Sequence, residues 1–118
     1  MTNIDIRQNL PEDFPEVWTI CGSSRFKQEI IDAVKKLTLE GKIVISLGLF
    51  GHADKEAITH EIKATLDLLH FRKIDLSDGI YVVDVDGYVG WSTENEILYA
   101  RITGKRTRYH SREAELKS

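Results

Sequence analysis

The 118-residue sequence contains one cysteine, two prolines and no long hydrophobic run. Cys21 has no partner for an internal disulfide, and it cannot supply a cluster of cysteine metal ligands, which is typical of proteins in a reducing compartment. No segment approaches the roughly 18 apolar residues that a membrane span needs. The sequence therefore predicts a cytoplasmic protein with no metal, no cofactor and no membrane partner.

A secretory signal and an excess of positive charge are also missing. Residues 1–16, MTNIDIRQNLPEDFPE, lack a basic flank followed by an apolar run. The net charge is −3, so the overall field does not attract nucleic acid. One basic stretch near the end either protects an edge strand from pairing with another chain or contacts a phosphate or partner. It consists of Lys105, Arg106, Arg108 and Arg112.

No linker or repeat divides the chain, so we expect a single domain over residues 1–118. Apolar runs predict strands at 17–21, 42–49, 80–85 and 105–109, and helical spacing predicts helices at 26–40, 54–75 and 93–102. This alternation predicts an α/β fold, a small open parallel sheet of about four strands with helices on both faces, of the Rossmann-like kind. Ligands of such sheets bind beyond the carboxyl ends of the strands, where residues 21–25, 48–54 and 84–94 emerge.

The first of these loops, CGSSR, has the residues of an anion site. Gly22 permits close backbone approach, and Ser23 and Ser24 open a helix whose amides can hold a phosphate or a sugar hydroxyl. The same serines could simply cap that helix. Arg25 could add a positive charge. Cys21 is included among the expected substrate-binding residues of this loop, and it is interpreted as a packed strand residue rather than a nucleophile, because no histidine is fixed near it by sequence.

The last loop leads into a helix that carries Glu96. Gly90, Ser92 and Thr93 supply a flexible turn and free helix amides for a ligand. A carboxylate in the first turn is favoured in its ionised form by the helix dipole, and that form is needed to attack a sugar C1′. Thr93 and Glu96 also have the spacing of a capping box, which would make Glu96 purely structural.

Three further side chains have two interpretations each. His70 shares a helical stripe with Leu66 and Ile74, so it either packs in the core or faces the ligand as an acid or hydrogen-bond partner. Asp84 and Asp86 follow the third strand, where they could bind sugar hydroxyls, protonate a leaving base or stabilise a turn.

Aromatic side chains also flank the last loop. Tyr88 and Trp91 could stack on a base or serve only in packing.

Short motifs in the chain resemble the nucleoside 2-deoxyribosyltransferase-like family, which includes the 2′-deoxynucleoside 5′-phosphate N-hydrolases. The resemblance lies in CGS at 21–23, SDGIYVV at 77–83 and EILYA at 96–100. It implies that Glu96 is a nucleophile that attacks C1′, releases the base and forms a glycosyl intermediate resolved by water or another base. It also implies that Ser23 binds phosphate or sugar, and that the protein is a homodimer with sites near the subunit boundary. We expect a homodimer or a higher homo-oligomer.

The chain differs from that family at two places. His70 stands where the hydrolases carry an aspartate, and Gly90 stands where a phosphate-binding serine would fall. We therefore expect either an N-glycosidase or deoxyribosyltransferase-like enzyme acting on a nucleoside or nucleoside monophosphate, or a nucleotide-binding sensor that has lost turnover. A purely structural interaction domain is a third interpretation.

Overall fold

The computed structural model describes residues 10–115, and part of the segment expected not to be a secretory signal, residues 1–9, lies outside them. Helices and strands alternate through most of the described chain. The elements are β1 (Val17–Cys21), α1 (Lys27–Leu39), β2 (Ile43–Ile45), α2 (Gly51–Asp54), α3 (His60–Asp75), β3 (Gly79–Val82), α4 (Trp91–Ile102), β4 (Arg106–Tyr109) and α5 (His110–Glu115). Within residues 10–115, none of these helices has both the length and the hydrophobicity that crossing a membrane requires.

The four strands form one parallel sheet in the order β2-β1-β3-β4. The predicted α/β fold with an open parallel sheet is confirmed. The direction of strand order reverses between β1 and β3, so the loops that follow these two strands part and leave a crevice at the carboxyl edge. This topological switch point is where a Rossmann-like sheet binds ligands.

Both faces of the sheet are covered, as predicted. The α1 side has a buried cluster, and α3 and α4 form another on the opposite side. The first cluster comprises Trp18, Ile20, Ile30, Ala33, Leu37, Tyr81 and Val83. The second comprises Cys21, Ile74, Ile80, Val82 and Ala100. Alternate side chains of a strand point to opposite faces of the sheet. Because both faces are covered, β1 and β3 are buried along their whole length, and their sequences are mainly apolar.

The strand predicted at 42–49 is much shorter in the structure. Only Ile43–Ile45 pairs with β1, in register from Val17 opposite Ile43 to Thr19 opposite Ile45. Beyond it, the carbonyl of Ser46 accepts a hydrogen bond from Lys73 Nζ at 2.9 Å. A side chain from α3 therefore takes the place of a strand neighbour, and the chain turns toward the carboxyl edge of the sheet.

The helix predicted at 54–75 is two helices. The short α2 ends at Lys55, which has a left-handed φ of 54° that no continuing helix can contain. The next helix begins after Thr59, whose Oγ1 accepts a hydrogen bond from the amide of Ile62 at 3.2 Å. This is an N-cap, and the apolar spacing that ran through the segment concealed it.

Two arginines of the basic stretch pair with carboxylates. Arg108 Nη1 lies 2.8 Å from Glu40 Oε1, and its Nε lies 2.7 Å from Glu113 Oε2. Arg106 pairs with Glu16. These ion pairs tie the edge strand β4 to neighbouring elements, which agrees with the edge-protecting interpretation.

Candidate functional site

A cavity of about 640 Å³ lies at the carboxyl ends of β1 and β3. The switch point of the sheet creates it, and α3 and α4 form one of its walls. From the loop after β1 it receives Gly22, Ser23, Ser24 and Arg25, all four of which sequence reasoning assigned to ligand binding. The loops that emerge from the carboxyl edge therefore converge on one space large enough for a small organic molecule.

Gly22 is required by the packing of the sheet edge. A Cβ at this position would lie 3.0 Å from the carbonyl oxygen of Val83 and 3.2 Å from its Cβ. The close backbone approach expected at Gly22 is thus made to the end of the neighbouring strand.

Neither serine of this loop caps α1. The helix begins at Lys27 with Phe26 at its N-cap and no side-chain cap hydrogen bond, so the capping interpretation is wrong. Ser23 Oγ instead accepts a hydrogen bond from Arg25 Nε at 3.1 Å. Ser24 Oγ accepts one from the amide of His52 at 3.1 Å and holds the loop that carries α2.

The start of α4 differs from the prediction. Gly90 is the N-cap in an extended conformation, Trp91 is the first helical residue, and no side chain caps the helix. Thr93 is buried in the first turn and Glu96 lies in the second turn. The capping box expected for Thr93 and Glu96 is therefore wrong, because Thr93 is inside the helix. Gly90, Thr93 and Glu96 all line the cavity.

Glu96 is almost fully buried, with 9% of its surface exposed. Burial chiefly, and then the negative charge of Asp67, raise its pKa to about 8, while Lys63 and a hydrogen bond to Cys21 act in the opposite direction. The expectation that the helix dipole favours the ionised form is wrong for this structure. The dipole acts mainly in the first turn, and Glu96 lies beyond it in a desolvated position.

His70 was expected either to pack in the core or to face the ligand. In the structure it is buried and also lines the cavity. Its Nε2 lies 3.8 Å from Glu96 Oε1 and 3.5 Å from Cys21 Sγ. Burial, followed by the positive charge of Lys73, lowers its pKa to about 4. His70 is therefore neutral at pH 7 and can offer a hydrogen bond but is a poor proton donor.

Cys21 does not line the cavity and is fully buried behind His70 and Glu96. Burial raises the pKa of its thiol well above the ordinary value, and the nearby Glu96 carboxyl adds to the effect. The structure thus places Cys21 behind the cavity wall, which removes it from the residues expected to bind a nucleoside or nucleotide.

The structure does not bring Asp84 or Asp86 to the cavity, which corrects their expected roles. The carboxylate of Asp84 accepts hydrogen bonds from the amide of Ser111 at 2.8 Å and from its hydroxyl at 2.7 Å, so it holds the start of α5. Asp86 is exposed in a 3₁₀ turn with a φ of 53°. Asp84 is therefore removed from the catalytic set and Asp86 from the binding set.

Both aromatic residues of the last loop reach the cavity. Tyr88 packs edge-on against Phe26, with ring centroids 5.8 Å apart, and the Arg25 guanidinium lies 4.8 Å from its ring centroid. Trp91 is 75% exposed at the start of α4. Tyr88 is thus a fixed part of the wall, whereas Trp91 forms part of the outer surface.

Sequence reasoning missed three charged residues of α3 that line the cavity: Lys63, Asp67 and Lys73. Lys63 Nζ lies 3.1 Å from Asp67 Oδ1 and donates to Ser92 Oγ at 3.0 Å, which joins α3 to the start of α4. Lys63, Asp67 and His70 recur at intervals of four and three, so they share one helical face. That spacing in the sequence could have placed Lys63 and Asp67 on the same side of α3 as His70.

Comparisons of the chain with protein-family models, with curated proteins and with solved structures gave no match.

Proposed function

We propose that the protein is an N-glycosidase or deoxyribosyltransferase-like enzyme that cleaves the N-glycosidic bond of a nucleoside or nucleoside monophosphate. The observation that carries the proposal is the position of Glu96. Its carboxyl group is buried in the wall of a ligand-sized cavity at the switch point of the sheet. In its ionised form, a carboxyl group so placed can act as the nucleophile of a retaining glycosidic cleavage.

The loop after β1 supports the other half of the proposal. Ser23, Ser24 and Arg25 bring hydroxyls and one positive charge to the same cavity. These groups suit a sugar hydroxyl or a phosphate, and the ring of Tyr88 offers an apolar surface to a base. The short motif resemblance to the deoxyribosyltransferase-like family points to the same bond.

The proposed reaction has two steps. The ionised Glu96 carboxylate forms a bond to C1′ while the C1′–N bond breaks, and the base leaves with its bonding electron pair. The base takes a proton from water, because His70 is neutral, Asp84 is elsewhere and Asp67 is a carboxylate paired with Lys63. Water, or a second base in a transfer reaction, then attacks C1′ and releases Glu96.

A panel of nucleosides and nucleoside 5′-monophosphates, assayed for free base, tests this proposal. We expect base release from at least one member, and a loss of about 1,000-fold or more in Glu96→Gln, since the amide cannot act as the nucleophile. Glu94→Gln is the matched control, because Glu94 is exposed on the same helix. Absence of release by the wild type, or equal release by Glu96→Gln, would refute the enzyme proposal.

A second candidate, a nucleotide-binding sensor without turnover, is favoured by the acid–base groups of the cavity. His70 is neutral at pH 7, and Glu96 is mostly protonated there, so neither is in the ideal state for the proposed reaction. Calorimetric binding of a nucleotide to the wild type with no formation of free base would select this candidate.

We also propose that the protein is a cytoplasmic homodimer. The outer surface of α3 and α4 exposes large apolar side chains: Leu69 at 50%, Leu98 at 51%, Ile102 at 74% and Trp91 at 75%. Exposed apolar surface on neighbouring helices is typical of a subunit contact. Because Trp91 both lines the cavity and belongs to this surface, the contact would place the sites near the subunit boundary.

A further inference from the structure

Three potential metal ligands converge at the floor of the cavity. Cys21 ends β1, His70 lies in α3 and Glu96 lies in α4. One donor atom from each side chain lies within 4.8 Å of the other two, and all three residues are buried. They are 49 and 26 positions apart along the chain, from Cys21 to His70 and from His70 to Glu96, so only the fold brings them together.

The separations between the donor atoms suit a tetrahedral ion. Zn²⁺ binds cysteine sulfur at about 2.3 Å and histidine nitrogen or carboxylate oxygen at about 2.0–2.2 Å, which places neighbouring donors roughly 3.3–3.7 Å apart. The Cys21 Sγ to His70 Nε2 distance is 3.5 Å, and the His70 Nε2 to Glu96 Oε1 distance is 3.8 Å. A small change in the χ angles of Glu96 would complete the set.

The imidazole of His70 is held in the manner of a metal ligand. Besides the contacts of Nε2, the backbone of Ile20 acts on the ring as a hydrogen-bond partner that raises the pKa of His70 against the effect of burial. Histidines that bind metals commonly donate their second ring nitrogen to a backbone carbonyl or a carboxylate, which fixes the ring orientation. Ile20 is fully buried in β1 and provides a rigid anchor.

The charges also balance. A thiolate and a carboxylate with a neutral imidazole would neutralise a divalent cation inside a desolvated wall. Asp67, which is electrostatically coupled to Glu96, adds negative potential. The nearby cations are partly engaged, since Lys63 pairs with Asp67 and Lys73 donates to the carbonyl of Ser46.

We propose that Cys21, His70 and Glu96 form a binding site for a soft divalent cation of the zinc type. Cys21 binds as thiolate, His70 through Nε2 and Glu96 as carboxylate, and the thiol and carboxyl protons pass to solvent. His70 and Glu96 face the cavity, so the fourth position of the ion is open to water or a small ligand.

The metal proposal does not depend on glycosidic cleavage, but the two compete for one side chain. A bound cation holds Glu96 as a ligand and withholds it from attack on C1′. Zinc would then act as an inhibitor of the proposed enzyme, and metal binding would persist if the protein is a sensor. Binding is therefore measured without any activity assay.

Titration of the chelator-treated protein with Co²⁺ tests the proposal. We expect one equivalent to bind with a near-ultraviolet thiolate-to-cobalt charge-transfer band, and we expect Zn²⁺ to displace it. Glu96→Gln and His70→Gln should each weaken Co²⁺ binding by at least about 100-fold, since even outer partners of a metal site change affinity 10–100-fold. His52→Gln is the control, because His52 is an exposed histidine of the same cavity.

Cys21→Ser should lose the charge-transfer band, with circular dichroism as the check that the variant is folded. If that variant does not fold, the His70→Gln and Glu96→Gln titrations decide the matter alone. A wild-type protein that shows no charge-transfer band, or Co²⁺ affinities of both variants equal to that of the wild type, would overturn the proposal.

Discussion

His70 Nε2 lies 3.8 Å from Glu96 Oε1, within the distance of an ion pair, and yet the two groups are both uncharged near neutral pH. Burial is the main cause for each, since it lowers the pKa of His70 to about 4 and raises that of Glu96 to about 8. Between those values the imidazole is neutral and the carboxyl is protonated. The contact is thus a pair of uncharged polar groups at neutral pH. Binding of a substrate or a metal ion, or alkaline pH, would ionise Glu96.

The first prediction concerns the pH dependence of base release. If the ionised Glu96 is the nucleophile, kcat/KM of the chelator-treated protein should rise with pH and level off above about pH 8. Asp67→Asn removes a negative charge that raises this pKa, so its rising limb should shift to lower pH. Lys63→Met removes a positive charge that lowers the pKa of Glu96, so the rising limb of its pH profile should shift to higher pH. Identical profiles for all three proteins would contradict this account.

A second prediction uses stability, and it needs no substrate. The pKa of Glu96 rises from 4.5 in the unfolded chain to about 8 in the fold, so its stabilising contribution is complete below about pH 4.5 and is lost as the pH rises through 8. His70 has the opposite sign, and its contribution is lost as the pH falls from 6.5 through about 4.

Denaturant unfolding of chelator-treated protein across this range checks both signs. The Glu96→Gln variant should lose less stability than the wild type between pH 5 and pH 8, and His70→Gln should lose less between pH 6.5 and pH 4. Parallel curves for the variants and the wild type would show that the two groups are not desolvated.

The third prediction concerns the floor of the cavity. Gly22→Ala would place a methyl group 3.0 Å from the carbonyl oxygen of Val83, which directly follows β3 and is held by the hydrogen bond from its amide to the carbonyl of Cys21. We expect a loss of about 1–3 kcal/mol in the free energy of unfolding and weaker ligand binding. Gly48→Ala is the control, because a Cβ at Gly48 meets nothing within 4 Å although Gly48 also lines the cavity. Equal losses of unfolding free energy and of ligand affinity in the two variants would show that the contact of Gly22 with Val83 is not tight.

The fourth prediction tests the proposed dimer. The chain should elute and scatter light at twice its mass of 13.5 kDa. Leu98→Lys on α4 should produce the monomer, because it places a charge in the apolar contact. Leu39→Lys changes an even more exposed leucine, at 78%, on the opposite side of the sheet and should leave the dimer intact. A monomeric wild type would remove the dimer from the account.

Local patterns predicted the parts of the fold that local chemistry decides. Val17–Cys21 was located to the residue because a short, mainly apolar run that ends at a glycine is typical of a strand buried on both faces. The stop at Gly41 was identified because glycine readily takes a left-handed φ, here 87°. The convergence of the loops followed from the rule for parallel sheets, and the structure brings those loops to one cavity.

The features that the sequence did not predict depend on contacts between residues that are far apart along the chain. The position of Asp84 after β3 predicted a ligand-binding role. Its carboxylate instead binds Ser111, which lies 27 positions further along the chain. The early end of β2 follows from the contact of Ser46 with Lys73, again 27 positions apart. The ionisation of Glu96 depends on burial, which the helical dipole argument did not include. No local pattern reports such distances.

The most direct test of the central claim is to trap the sugar on the protein. A substrate nucleoside or nucleotide carrying fluorine at C2′ slows both steps through its oxocarbenium-like transition states and favours accumulation of the glycosyl intermediate. Intact-mass and peptide mass spectrometry should then show one sugar adduct, located on Glu96 and absent from Glu96→Gln. Base release that proceeds with no adduct on Glu96, and at the same rate in Glu96→Gln, would contradict the account.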